Sequence, residues 1–105
     1  MLKKTYSDDG HECQVIFELP AEVAAQAASL CGEFNEWDPS AHPMEQQADG
    51  SFTLTVALEP GRAYRFRYLL DGARWENNRA ADGYVPNPYG SDDSLVQVER
   101  VPSQP

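Results

Sequence analysis

The chain has no close pair of cysteines, little basic charge and no long apolar run, and each shortage removes a class of function. Its two cysteines, Cys13 and Cys31, stand 18 residues apart, which fits no common zinc or redox spacing, since those need close pairs. Buried free thiols are the expected state, and a disulfide would require an exported protein. Eight Lys plus Arg against seventeen Asp plus Glu leave a net charge of −9, with Lys3-Lys4 the only basic pair. A polyanion would meet a repulsive field, so neither nucleic acid nor an anionic membrane is an expected partner. No apolar stretch is long enough to cross a bilayer, and no run of signal-peptide length follows the two lysines, so the expected location is the cytoplasm.

Chemical motifs are equally scarce. His11 and His42 lie in unrelated loops with neither metal-ligand spacing nor a nucleophile motif nearby, and no phosphate-cradling glycine loop occurs. Acids such as Asp38, Asp49, Asp71 and Asp92 sit in turn-rich segments, where carboxylates mostly form turns and keep the surface charged. At 105 residues the chain is one domain, well short of the roughly 200 residues of a complete barrel enzyme. Catalysis, a metal and a cofactor are therefore not expected.

What the chain does have is period-two alternation. Cys13, Val15, Phe17 and Leu19 share one face of "CQVIFEL"; Phe52, Leu54, Val56 and Leu58 share one face of "SFTLTVAL". Tyr64, Phe66, Tyr68 and Leu70 do so in "YRFRYLL", with Arg65 and Arg67 opposite, and Val96 and Val98 in "SLVQVERV". Asp49-Gly50, Pro60-Gly61 and Asp71-Gly72 punctuate these runs and suit antiparallel hairpins. The pattern predicts an all-β fold, a sandwich, over residues 11–101, with residues 1–10 and 102–105 as loose ends. The Ala, Glu and Gln content of residues 21–30, "AEVAAQAASL", predicts a helix by propensity alone.

Trp37 in "FNEWDPS" and Trp75 in "LLDGARWENN" stand in polar, turn-rich surroundings. The ordinary role of a tryptophan in a small domain is to cap the core with its ring. Two in matching contexts point instead to binding groups held by loops on a rigid β scaffold. Parity adds Arg67: if Tyr64, Phe66, Tyr68 and Leu70 pack inward, Arg67 projects from the outer face, a few residues before the turn that carries Trp75. Indole planes beside a guanidinium suit a neutral polyol, whose C–H faces stack on the rings while polar side chains bond its hydroxyls.

Taken as an ordered set, G-x-F-N-x-W at 32–37, Pro60-Gly61, the aromatic strand, the Asp71-Gly72 turn with its Trp, and N-P-x-G at 87–90 resemble carbohydrate-binding module family 48 over roughly residues 13–99. That family comprises isoamylase N-terminal-like domains and the glycogen-binding domain of the AMP-activated protein kinase β subunit. The resemblance implies an immunoglobulin-like, early-set antiparallel β-sandwich that binds glycogen and maltooligosaccharides, without catalysis, through α-1,4-linked glucose units. It implies a sugar platform of Trp37 and Trp75, the basic residue Arg67 beside it, and contacts from Tyr89, Ser91 and Asp93 of the late loop. It replaces the helix with a strand over residues 26–31 in which Ala28 and Leu30 face inward. The turn "DGARW" is one residue longer than the D-G-x-W of the kinase subunit, Arg67 stands where that subunit has lysine, and Asp93 where it has an amide. The alternative is a protein-interaction or scaffold module associated with a glycogen-metabolising enzyme, another α-glucan-metabolising enzyme or a kinase.

Overall fold

The computed structural model describes residues 2–99. Nine strands follow one another: β1 (Lys3–Tyr6), β2 (Cys13–Leu19), β3 (Ala28–Gly32), β4 (Glu45–Gln46), β5 (Phe52–Leu58), β6 (Arg62–Leu70), β7 (Arg74–Glu76), β8 (Gly83–Pro86) and β9 (Asp92–Val98). They form two antiparallel sheets, one in the order β1-β2-β5-β4 and one in the order β3-β6-β9-β8. β6 is the axis of the second sheet. One edge bonds β3, while the other is shared by β9 over Arg62–Phe66 and β7 over Tyr68–Leu70.

The alternating residues meet between the sheets. Cys13, Val15, Phe17, Leu19, Phe52, Val56 and Leu58 of the first face Leu30, Tyr64, Phe66, Tyr68, Leu70, Val96 and Val98 of the second, and all are buried. Leu54, on the same face of β5, is half-buried and packs against this cluster. Phe17 and Phe66 cross the gap edge to face at 5.0 Å. Fully burying one such ring contributes about 1.5–3 kcal/mol, and several do so. The two-sheet, all-β sandwich expected from the alternation is the fold observed.

Local expectations fared unevenly. The helix expected over residues 21–30 is one turn of 3-10 helix at Ala21–Val23, ended by Ala24 in the left-handed region (φ 53°). Tertiary bonds outcompete propensity there: Asp71 Oδ1 accepts the N–H groups of Gln26 and Ala27 at 2.9 Å each, and Arg74 donates to the Val23 carbonyl at 2.9 Å. The chain then enters β3, with Ala28 and Leu30 buried as the strand reading required.

Asp49-Gly50 and Asp71-Gly72 do close hairpins, β4–β5 and β6–β7, but Pro60-Gly61 does not, because β5 and β6 belong to different sheets. The segment 1–10 expected to be loose contains β1, paired to β2, and Lys4 Nζ reaches Asp82, the residue before β8, at 2.6 Å, linking one sheet to the other. Residues 102–105, the other expected loose end, lie outside the described residues. Cys13 and Cys31 are buried free thiols, and burial pushes both thiols up from their ordinary value.

Candidate functional site

The outer face of the β3-β6-β9-β8 sheet carries a groove of about 690 Å³. Three loops and two arginines line it, and each arrives by a different local device.

Trp37 follows the end of β3. Gly32 has no room for a side chain, since a Cβ there would lie 2.6 Å from the Arg65 carbonyl oxygen. The chain must leave the sheet, and Glu33–Asn35 form a single turn of 3-10 helix. Asn35 fixes this turn: Oδ1 accepts the Gly32 N–H at 3.0 Å, and Nδ2 donates to the Leu30 carbonyl at 2.9 Å and to His42 Nδ1 at 2.8 Å. Since the backbone partners fix which end of the amide donates, His42 Nδ1 must accept. Glu36 and Trp37 then both take left-handed backbone, with φ of 58° and 60°, and the Trp37 N–H closes back on the Gly32 carbonyl at 2.9 Å. Two consecutive non-glycine residues in that region cost roughly 1–2 kcal/mol each.

Trp75 depends on register. The β6–β7 loop has three residues, Asp71–Ala73, so Leu70 pairs with Arg74 and Leu69 with Trp75. Leu69 shares the parity of Arg67, and opposed residues in an antiparallel pair point the same way, so the Trp75 ring emerges on the outer face. A two-residue loop would set Trp75 opposite Tyr68 and turn it toward the core. The three-residue loop therefore absorbs the extra residue of "DGARW" and keeps the ring outward. Trp75 is 45% exposed, and the Arg67 guanidinium lies over it with Cζ 5.8 Å from the ring centroid.

The third loop runs from β8 to β9. Tyr89 stands at its tip, 92% exposed, followed by Gly90 at φ 84°. Ser91 Oγ accepts from Arg67 Nη1 at 3.4 Å. Asp93 is 7% exposed; its Oδ1 accepts from Asn87 at 3.1 Å and its Oδ2 lies 3.8 Å from Arg65 Nη1. Arg65 also donates its backbone N–H to Glu33 Oε1 at 2.7 Å, continuing the ladder past the point where β3 departs.

Five of the six residues expected at the site, Trp37, Arg67, Trp75, Tyr89 and Asp93, line the groove, and the sixth, Ser91, bonds Arg67 within it. Four further residues line it that were not singled out: Glu33, Arg65, Asn87 and Pro88. Parity placed Arg65 beside Arg67 and could have found it; nothing local marks Glu33. Among the described residues, Arg67 Nε is the one buried side-chain polar atom without a partner. No group of three or more metal-binding side chains occurs among the described residues.

The arrangement is an open, aromatic-walled groove with donors and acceptors at its sides, on an antiparallel two-sheet sandwich. Its architecture is that of a carbohydrate-binding module. The family description "Carbohydrate-binding module 48 (Isoamylase N-terminal domain)" matches residues 4–89, and the chain belongs to this family. Similar proteins include the 1,4-alpha-glucan branching enzyme GlgB of Photobacterium profundum, 40% identical over 75 residues that cover 69% of this chain and 10% of that enzyme. A 1,4-alpha-glucan branching enzyme of Xanthomonas campestris is 33% identical over 51 residues, 48% of this chain and 7% of the enzyme. The chain thus spans about a tenth or less of the length of these relatives. No helix among the described residues is long and apolar enough to cross a membrane.

Proposed function

We propose that this domain binds glycogen and related α-1,4-glucans, without catalysis, in the groove between Trp37, Trp75 and Tyr89. The observation that carries the reading is the Arg67 guanidinium over Trp75, 5.8 Å from its centroid, in a groove that also holds Trp37. A pyranose face stacks on an indole, and the Arg67 guanidinium, whose Nη1 contact to Ser91 is long at 3.4 Å, has Nη donors to offer the ring-edge hydroxyls. Arg65 and Arg67 are balanced by Glu33 and Asp93, which favours a neutral polyol over an anion. Two stacking platforms on an open surface correspond to a dissociation constant of roughly 10 μM to 1 mM.

The relatives are named as 1,4-alpha-glucan branching enzymes, which supports the α-1,4-glucan assignment and suggests that a catalytic unit for the same polymer works beside this domain. We place that work in the cytoplasm. Titration with maltoheptaose, followed by amide chemical shifts with cellohexaose as the control, tests the reading. Shifts confined to the groove loops with maltoheptaose alone are expected; no response at millimolar maltoheptaose refutes it. A reducing-sugar assay on the domain with glycogen is expected to stay blank.

A further inference from the structure

The loop over residues 87–91 supplies one wall of the groove, and its shape depends on a single amide. The Asn87 backbone N–H donates to the Ser91 carbonyl at 2.8 Å. Its Oδ1 accepts the N–H groups of Tyr89 and Ser91 at 3.0 and 3.2 Å, and its Nδ2 donates to Ser91 Oγ and Asp93 Oδ1 at 3.0 and 3.1 Å. The two backbone donors fix the orientation of the amide: its oxygen faces the turn, so its NH2 faces Ser91 and Asp93. Both hydrogens of the NH2 are then engaged.

The two acceptors are the groups that touch the arginines. Ser91 Oγ meets Arg67 Nη1, and Asp93 Oδ2 lies within ion-pair range of Arg65 Nη1. Asp93 is almost wholly buried, so its charge requires donors on both oxygens, and Asn87 supplies one of them. From these contacts we infer that Asn87 is a positioning residue. Through Ser91 and Asp93 it holds the Arg65 and Arg67 guanidinium groups in register with the Trp75 ring and so sets the affinity for glucan. This rests on the glucan-binding reading of the groove. Asn87 touches the arginines only through other side chains, so the role differs from that of the stacking rings.

Asn87→Asp isolates the effect. It keeps an oxygen for the Tyr89 and Ser91 N–H groups, preserving the turn, but sets a second oxygen against Asp93 where a donor stood. Two carboxylates at that separation repel, and Asp93 is pushed from its place. The expected result is a loss of maltoheptaose affinity of about tenfold or more, measured well below a lowered thermal midpoint where the domain stays folded. In an Asp93→Asn background, where position 93 can itself supply the NH2, the same substitution is expected to cost less than about threefold. Equal penalties in the two backgrounds, or none in the native background, overturn the positioning role while leaving glucan binding intact. A native domain that binds no maltoheptaose overturns the glucan reading and this role with it. A second readout needs no ligand: the Arg67 Nε–H and Trp75 indole N–H resonances should shift in Asn87→Asp and return in the double variant. Resonances that stay unmoved overturn the proposal.

Discussion

Trp75→Ala separates a binding ring from a core ring: the structure sets the size of the stability effect, and the chemistry of a sugar face on an indole that of the binding effect. The backbone of Trp75 pairs with Leu69, and that ladder survives truncation. The ring is 45% exposed, and its one cationic contact among the described residues is Arg67 at 5.8 Å. An exposed cation–π pair contributes about 0.5–1 kcal/mol, so with some lost packing the domain should lose about 1 kcal/mol of stability. For a domain of this size that lowers the thermal midpoint by roughly 4–8 °C. Binding should suffer far more. A pyranose face on the indole removes roughly 50 Å² of apolar surface from water, about 1.3 kcal/mol, and the stacking geometry adds about 0.5–1.5 kcal/mol. Together these give about 2–3 kcal/mol, or roughly 30- to 150-fold in Kd. Calorimetric titration with maltoheptaose, alongside a thermal melt, measures the two together. A Kd unchanged within threefold refutes the platform, and a midpoint lowered by more than about 15 °C assigns the ring to the core instead.

Gly32→Ala should destabilise the domain by about 1–3 kcal/mol in a urea titration: φ of −171° suits any residue, but a Cβ would lie 2.6 Å from the Arg65 carbonyl oxygen and 2.8 Å from the Phe34 ring. Glu36→Gly, at φ 58° and exposed, should stabilise it by about 0.5–1 kcal/mol without loss of glucan affinity. Trp37→Gly relieves the same strain next door but removes a ring, so there glucan affinity should fall; equal affinities in the two variants would take Trp37 out of the site. Asp38 accepts the N–H and hydroxyl of Ser40, and Asp49 the hydroxyl and N–H of Ser51, which holds both carboxyls below their ordinary value. Their folded values lie beneath the unfolded one of about 3.9, so their stabilisation is complete above that pH and is lost as pH falls through the folded values. Melts from about pH 6 to 2 should therefore decline less steeply in Asp38→Asn/Asp49→Asn than in the native domain, and parallel declines would refute the linkage.

The sandwich was legible because alternation reports burial directly: Val15, Phe17, Phe66 and Val96 are inward by parity and inward in fact. The same parity placed Arg67 outside, where it meets Trp75. What escaped were interactions between segments far apart in the chain. Residues 24–27 carry helix-forming side chains, yet Asp71, more than forty residues away, takes two of their N–H groups, and no local propensity could reveal that. Pro60-Gly61 has the composition of a hairpin turn and instead passes the chain between sheets, a difference written only in which strands pair. Asn87 escaped because the site was sought among residues that could touch sugar, whereas its bonds run to the loop and to Ser91 and Asp93.

Each aromatic of the groove follows an Asx residue whose side chain accepts backbone N–H groups: Asn35 precedes Trp37 and Asn87 precedes Tyr89, each bonding within its own turn, while Asp71 precedes Trp75 and ties the β6–β7 turn to residues 26–27. The chemistry explains the pairing. A short side chain with an acceptor can bond backbone N–H groups two or more residues away and hold a turn without help from a strand. Asn35 accepts from Gly32, Asp71 from Gln26 and Ala27, and Asn87 from Tyr89 and Ser91. A stacking ring on a mobile loop would lose to ordering entropy much of the small free energy that one sugar face returns. Loops tied down in this way bear that entropy during folding rather than at binding. The left-handed backbone at Glu36 and Trp37 fits the same logic, since strain there persists only because the Asn35 bonds and the Gly32 carbonyl over-determine the turn. On the glucan-binding reading, bonds of this kind would set the groove before a ligand arrives and leave more of each small stacking free energy for holding a flexible polymer.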